Sequence, residues 1–270
     1  MKKRNAVLLF LVTALSILPA FAHDLFLKPD SFFARVNSKI SISILNGSFM
    51  ASEAAVNFAR LKDVSFVGPS GIRTNLKETD YTKNETTGFL NIEPKDPGTY
   101  VVGLSTMPRE IDLAGKDFNE YLEHDGIPDV LAARKKHNEL DKAVREQYSK
   151  HVKTILQVGE TRTDSYKTVF GYPAEIIPQA NPYGLKASSV LRVLCLKDGK
   201  PLVNQYVMSG READGKLVLG NNVRTDKNGI AKIKIGGAGK WYVRFIEMSK
   251  ATDPKLNYES KWATLTFEVR

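Results

Sequence analysis

Cysteine is nearly absent: Cys195 stands alone among 270 residues. No internal disulfide can form, so the fold must rest on packing. Cys195 sits in the apolar run VLRVLCL at 190–196, where a buried structural thiol is expected instead of a nucleophile or ligand. No cysteine follows the apolar start of the chain, which removes a lipid anchor at that place. Four histidines leave little material for a histidine-rich metal site. There is no Gly-x-Ser-x-Gly, no phosphate loop, no His-Glu-x-x-His and no paired cysteine. Carboxylates are plentiful but scattered, so no glycosidase pair stands out. The formal charge of +9 comes from Lys and Arg interleaved with Asp and Glu. Without a basic block carrying aromatic residues, a nucleic-acid partner is excluded.

What is present begins with a leader. Lys2, Lys3 and Arg4 precede an apolar run over 6–18, and Ala20-Phe21-Ala22 has the small-x-small form of a cleavage site. The apolar core is shorter than the roughly 20 residues a membrane span needs. Residues 1–22 therefore read as a cleaved signal peptide, with the periplasm as destination. Of the 39 Lys and Arg, three lie in that segment, so removal leaves 36 against 30 acidic residues and the formal charge falls to +6. With 42% hydrophobic and 26% charged residues, the remainder has an ordinary globular composition.

Over 23–106 the pattern alternates with period two. Ile40, Ile42 and Ile44 face one way and Ser41 and Ser43 the other, and Asn46-Gly47 ends the run. Over 111–153 the period becomes helical. Phe118, Tyr121 and Leu122 suit one helix and Pro128 opens a second. Val144, Tyr148, His151, Val152 and Ile155 suggest a third. Residues 154–158 look like a return to the sheet. The proline-bearing stretch over 166–182 reads as a linker. Beyond it, Asp198-Gly199 and Asn228-Gly229 signal tight turns, and Trp241, Val243 and Phe245 share a strand face, as do Ala263, Leu265, Phe267 and Val269. Trp241 and Trp262 fit core positions. Asp226 opens a calcium-loop-like stretch without the downstream ligands, so a turn is the better reading. The expected fold is mainly β: two Ig-like or transthyretin-like sandwiches, 23–165 and 183–270, the first with a helical insert over about 111–153.

His23 is the sharpest chemical feature. Cleavage before it would free an α-amino group on the carbon that carries the imidazole. Their reference pKa values, about 7.7–8.0 and about 6.5, let both give up a proton to a metal near neutrality. The amine and Nδ1 then close a six-membered chelate ring, suited to copper, nickel or zinc. A further nitrogen would make a histidine brace. A histidine here can equally be incidental, since some residue must follow the cut. His137, in a charged helix end, reads as solvated. His124 reads as a helix-terminal cap. His151, on the apolar stripe, is either a hydrogen-bonded core histidine or an inward-facing second ligand.

These stretches together carry a resemblance. AHDLFLKP (22–29), PGTYVVG (97–103), FNEYLEHDG (118–126), YSKHVK (148–153) with QVG (157–159), NPY (181–183), DGKPL (198–202), RTD (224–226) and YESKWATLTF (258–267) are similar to the DUF4198 family of exported proteins. That family is often labelled as nickel/cobalt uptake periplasmic components, and the resemblance spans the mature chain. It implies a two-domain β protein with a histidine at the mature terminus. The role it implies is transition-metal uptake, with a membrane metal transporter as partner. Glu247 precedes Met248 where relatives often carry a histidine. The expected ligands of a nickel, cobalt or copper ion are thus His23 and His151 with Glu247 or Glu259, in a protein without turnover. Two alternatives stand beside it: a copper histidine-brace enzyme oxidising polysaccharide, and a metal-free adhesive pair of sandwiches.

Overall fold

Alternating Ile40, Ile42 and Ile44 become the buried face of the strand Ile40–Gly47. In this computed structural model, which describes residues 23–270, that strand pairs with Asp24–Pro29 and Gly88–Ile92, and Tyr81–Lys83 completes a four-stranded sheet. The leader expected over 1–22 lies outside the described residues.

A second sheet of 11 strands runs through the middle of the molecule. Its main path is Lys216–Leu219, Tyr206–Ala213, Gly239–Lys250, Tyr258–Val269, Val144–Val158, Gly98–Thr106, Leu61–Val67 and Arg73–Asn75. A third sheet joins Ala174–Pro178, Val190–Lys197, Lys200–Pro201 and Ile230–Lys234. The central sheet is covered on both faces. Tyr100, Val102, Leu104, Val152 and Leu156 pack with Leu25, Leu27 and Ile42 of the N-terminal sheet. Val101, Ile155, Val243, Ala263 and Leu265 pack with Ile176, Leu191, Val193 and Cys195 of the C-terminal sheet. The two expected sandwiches therefore share their middle layer. Strands from either side of residues 166–182 meet in it, Val144–Val158 and Tyr258–Val269 running parallel with Lys150 opposite Trp262.

The helical insert is shorter than its periodicity suggests. Helix α1 (Gly115–His124) buries Phe118, Tyr121 and Leu122, and α2 (Pro128–Lys136) starts at Pro128 as expected. The Arg134 side chain ties them: its guanidinium reaches Asn119 Oδ1 at 2.9 Å and the carbonyls of Glu139 and Lys142 at 2.6 and 2.9 Å, and lies 5.0 Å from the Phe118 ring centre. The third helix does not exist, because Val144–Val158 is a 15-residue strand. The reason is burial on both faces. A doubly covered strand carries apolar residues at odd and even positions, and such a run contains a helical spacing by accident.

The turns follow their residues. Asp198 (φ 48°) and Gly199 (φ 75°) take the left-handed backbone of a two-residue hairpin. Asp226 accepts from the backbone N–H of Asn228 and Ile230, a turn and not a cation loop. Trp241 and Trp262 are each 2% exposed, and Cys195 is buried. Burial pushes its thiol well above the ordinary range, so it is inert.

Candidate functional site

The strand Asp24–Pro29 is the edge of its sheet, and an edge strand leaves a row of carbonyls unpaired. Side chains of the central sheet take them up. Thr264 donates to the Leu25 carbonyl at 2.9 Å, Thr266 to that of Leu27 at 2.5 Å, and the Lys150 ammonium to that of His23. Arg244 anchors the Asp24 carboxylate at 3.0 Å and lies 3.6 Å from Asp125. His23 is thereby held at the rim of a cavity of about 500 Å³, whose wall includes Asn46, Arg60, Arg109, Tyr148 and Lys150.

Strand alternation decides which groups reach this place. Along Val144–Val158, Tyr148, Lys150 and Val152 face the N-terminal sheet, and Ser149, His151 and Lys153 face the other way. His151 thus cannot share a point with His23, and the expected pairing of these two imidazoles is corrected. Ser105 Oγ lies 2.9 Å from its Nδ1 and Ser149 Oγ 3.0 Å from its Nε2. Tyr172 packs against the ring at 6.0 Å. Burial first, then Lys261 and Lys62, push the imidazole down to about 3, so it is neutral. This is the hydrogen-bonded core histidine of the two sequence readings.

Glu247 and Glu259 lie on the His151 face, by their register with Lys261 and Ser249. Glu247 pairs with Lys197 at 2.6 Å. Among the described residues no group of three His, Cys, Asp or Glu side chains is placed to hold a metal. His124 is exposed at the end of α1 beside Asp125 at 3.2 Å, and His137 is exposed at the end of α2.

His23 has a neighbour that the sequence did not offer. Glu53 Oε2 lies 3.3 Å from its Nε2. A carboxylate on the Nε2 side leaves Nδ1 as the ring nitrogen turned away from Glu53. Nδ1 is the nitrogen that closes a chelate ring with a freed His23 amine. Among the described residues the site offers one imidazole, His23, with Glu53 beside it; a chelate would need the His23 amine that removal of residues 1–22 would free.

Behind His23 the cavity is cationic. Burial pushes the Lys150 ammonium down to about 8, and its Nζ lies 5.0 Å from the Trp262 ring centre and 5.5 Å from that of Tyr148. Arg60 is lowered by burial first and then by Arg109. Glu110, on the same wall, is tied to Arg145 at 2.8 Å. On the far side of Trp262, Glu146 accepts from Tyr121 at 3.2 Å and from Ser260, and burial pushes it up to about 7. Burial, with Asp24 adding its charge, also raises Asp125.

A mainly β protein of stacked sheets, with a polar cavity at the foot of its first strand, is the class these features define. The profile of the family described as "Domain of unknown function (DUF4198)" matches residues 20–248, and the chain belongs to that family. No curated protein matches it. Among solved structures it is similar to the D0-D1 domain of intimin, with 15% identity over 91% of this chain and 98% of that one and a TM-score of 0.21. It is similar to a two-domain fibronectin type III segment of chicken tenascin, with 13% identity, coverage of 92% and 98%, and a TM-score of 0.23. A DUF4785 family protein from Legionella pneumophila has 9% identity, coverage of 80% and 51%, and a TM-score of 0.25.

Proposed function

We propose that this is an exported, non-catalytic protein of the periplasm that binds a divalent transition metal, nickel, cobalt or copper, through its mature N-terminal residue, in uptake or delivery to a membrane transporter. The observation that carries this reading is the His23–Glu53 contact of 3.3 Å at a cavity rim. With residues 1–22 removed, the His23 amine and Nδ1 would hold the ion, which would supply a Lewis-acidic centre. Glu53 holds the imidazole in the tautomer that keeps Nδ1 open. Lys150, by holding the His23 carbonyl, fixes the terminus against the sheet.

The test is calorimetry on protein recovered after export, its first residue established by mass spectrometry. About one equivalent of Ni²⁺, Co²⁺ or Cu²⁺ is expected per chain. One alanine added before His23 separates amine from imidazole and should abolish uptake. Glu53→Ala should weaken it roughly 10–100-fold, the usual effect of removing a ligand's orienting partner. Uptake that survives the added alanine unchanged would disprove the chelate.

A further inference from the structure

We propose that the cavity behind His23 is a binding site for a small organic anion carrying two or more carboxylates. Three cationic side chains line it, from separate parts of the fold: Arg60 at the end of the 3-10 turn Phe58–Arg60, Arg109 on the strand Arg109–Leu113, and Lys150 on Val144–Val158. Register places Arg109 directly opposite Tyr148, two residues from Lys150 and on the same face. Among the described residues none of the three has a carboxylate within ion-pairing distance, although the chain forms such pairs freely elsewhere. Glu110, the only carboxylate on the wall, is held by Arg145 at 3.0 and 2.8 Å.

The Arg60 Nε–H is buried and has no hydrogen-bond partner among the described residues, while one terminal nitrogen reaches the Met107 carbonyl at 3.3 Å. A buried donor without a partner is costly. Two guanidinium groups near enough to perturb one another are costly too, and an anion beside them offsets that repulsion. Carboxylates suit this arrangement because guanidinium presents paired N–H groups that match two oxygens. The volume, about 500 Å³, lies within the usual range for small-molecule sites. Leu25, Val56 and Ile111 on the wall call for a partly apolar body, which a bare phosphate lacks, and Asn46 and Thr106 can meet hydroxyl groups.

This inference does not depend on metal binding at His23, and its test is made without metal. Protein passed over a chelating resin is titrated calorimetrically with citrate, with acetate and inorganic phosphate as parallel probes. Saturable citrate binding is expected, at least about tenfold tighter than either probe and weakened by added salt. Arg109 is exposed, so Arg109→Glu should fold as the parent does, which a thermal melt checks, and should lose at least about tenfold in citrate affinity. Arg60→Gln should act in the same direction. The alanine-extended protein that loses metal should keep citrate. No binding of citrate, binding undiminished in Arg109→Glu, or phosphate binding as tight as citrate would each overturn the proposal.

Discussion

Protonating His151 should destabilise the protein, by an amount the burial of the ring sets. The imidazole is 2% exposed, flanked by Ser105 and Ser149, and held down to about 3 against 6.5 in an unfolded chain. A folded pKa below the unfolded one means the unfolded chain binds the extra proton. The group costs nothing above pH 6.5, and stability is lost as pH falls from 6.5 toward 3. Each pH unit in that window corresponds to about 1.4 kcal/mol, so the loss between pH 7.5 and 5.0 is about 2 kcal/mol. Glu146 acts with the opposite sign. Its pKa is raised to about 7, so its cost is present above pH 7 and fades as pH falls toward its unfolded value. Asp125, also raised, follows it. Total stability therefore mixes these terms, and a difference measurement separates them. His151→Gln keeps groups able to bond both serines but cannot titrate. Urea unfolding of parent and variant from pH 7.5 to 5.0 should show the parent losing about 2 kcal/mol relative to the variant, roughly 1 M in midpoint. A difference that stays constant with pH would refute the buried neutral imidazole.

Two further outcomes test the fold. Lys153 and Glu175 form an ion pair of 3.1 Å, both 2% exposed, and Glu175 also accepts the backbone N–H groups of Phe170, Gly171 and Tyr172. Lys153→Met leaves that buried carboxylate without its cation and should cost roughly 3–5 kcal/mol in urea unfolding at pH 7; a loss under about 1 kcal/mol would contradict it. Phe118→Ala removes the ring that joins α1 to Tyr258 and to Arg134. It should cost roughly 3–5 kcal/mol, and hydrogen exchange should quicken first in α1 and α2.

Much of the fold was legible because half-covered strands print their pattern in the chain. Ile40 to Ile44 and the Asp198-Gly199 hairpin are read directly, and the strand of Trp241, Val243 and Phe245 was read from its residues although 241–246 are all buried. Of the strand Val144–Val158 only the end, 154–158, was read, since a strand covered on both faces loses its alternation. The same error set His151 on a common stripe with Tyr148, whereas strand geometry sends the two side chains to opposite faces. At the site, His23 was visible through the cleavage pattern alone. Glu53, Arg60, Arg109 and Lys150 carry no local signal: each sits in an ordinary charged or mixed segment, and only the folded sheets bring Arg60, Arg109 and Lys150 to one wall and Glu53 beside His23. Lys150 was the nearest to detectable, as a lysine between apolar and aromatic neighbours in a segment otherwise read as core.

The placement of His23 depends on a feature that looks purely structural. A chain terminus ordinarily frays unless something ties it down. Here the first strand is an edge strand whose carbonyls at residues 23, 25 and 27 are taken by Lys150, Thr264 and Thr266, with Asp24 locked to Arg244. Thr264 and Thr266 belong to the last strand of the chain, and Lys150 to the strand beside it. The strand Asp24–Pro29 is thus fixed by the last strand of the chain and by the strand beside it. Ordering His23 in advance removes part of the entropy that a flexible ligand would lose on binding. An exchange of Thr264 and Thr266 for valine keeps volume but removes both hydroxyl donors, so it should loosen His23 without emptying the core. Metal affinity should fall in that double variant while Arg60, Arg109 and Lys150 still line the cavity. Undiminished metal affinity there, with accelerated amide exchange over residues 24–29, would show that the anchoring serves the fold alone.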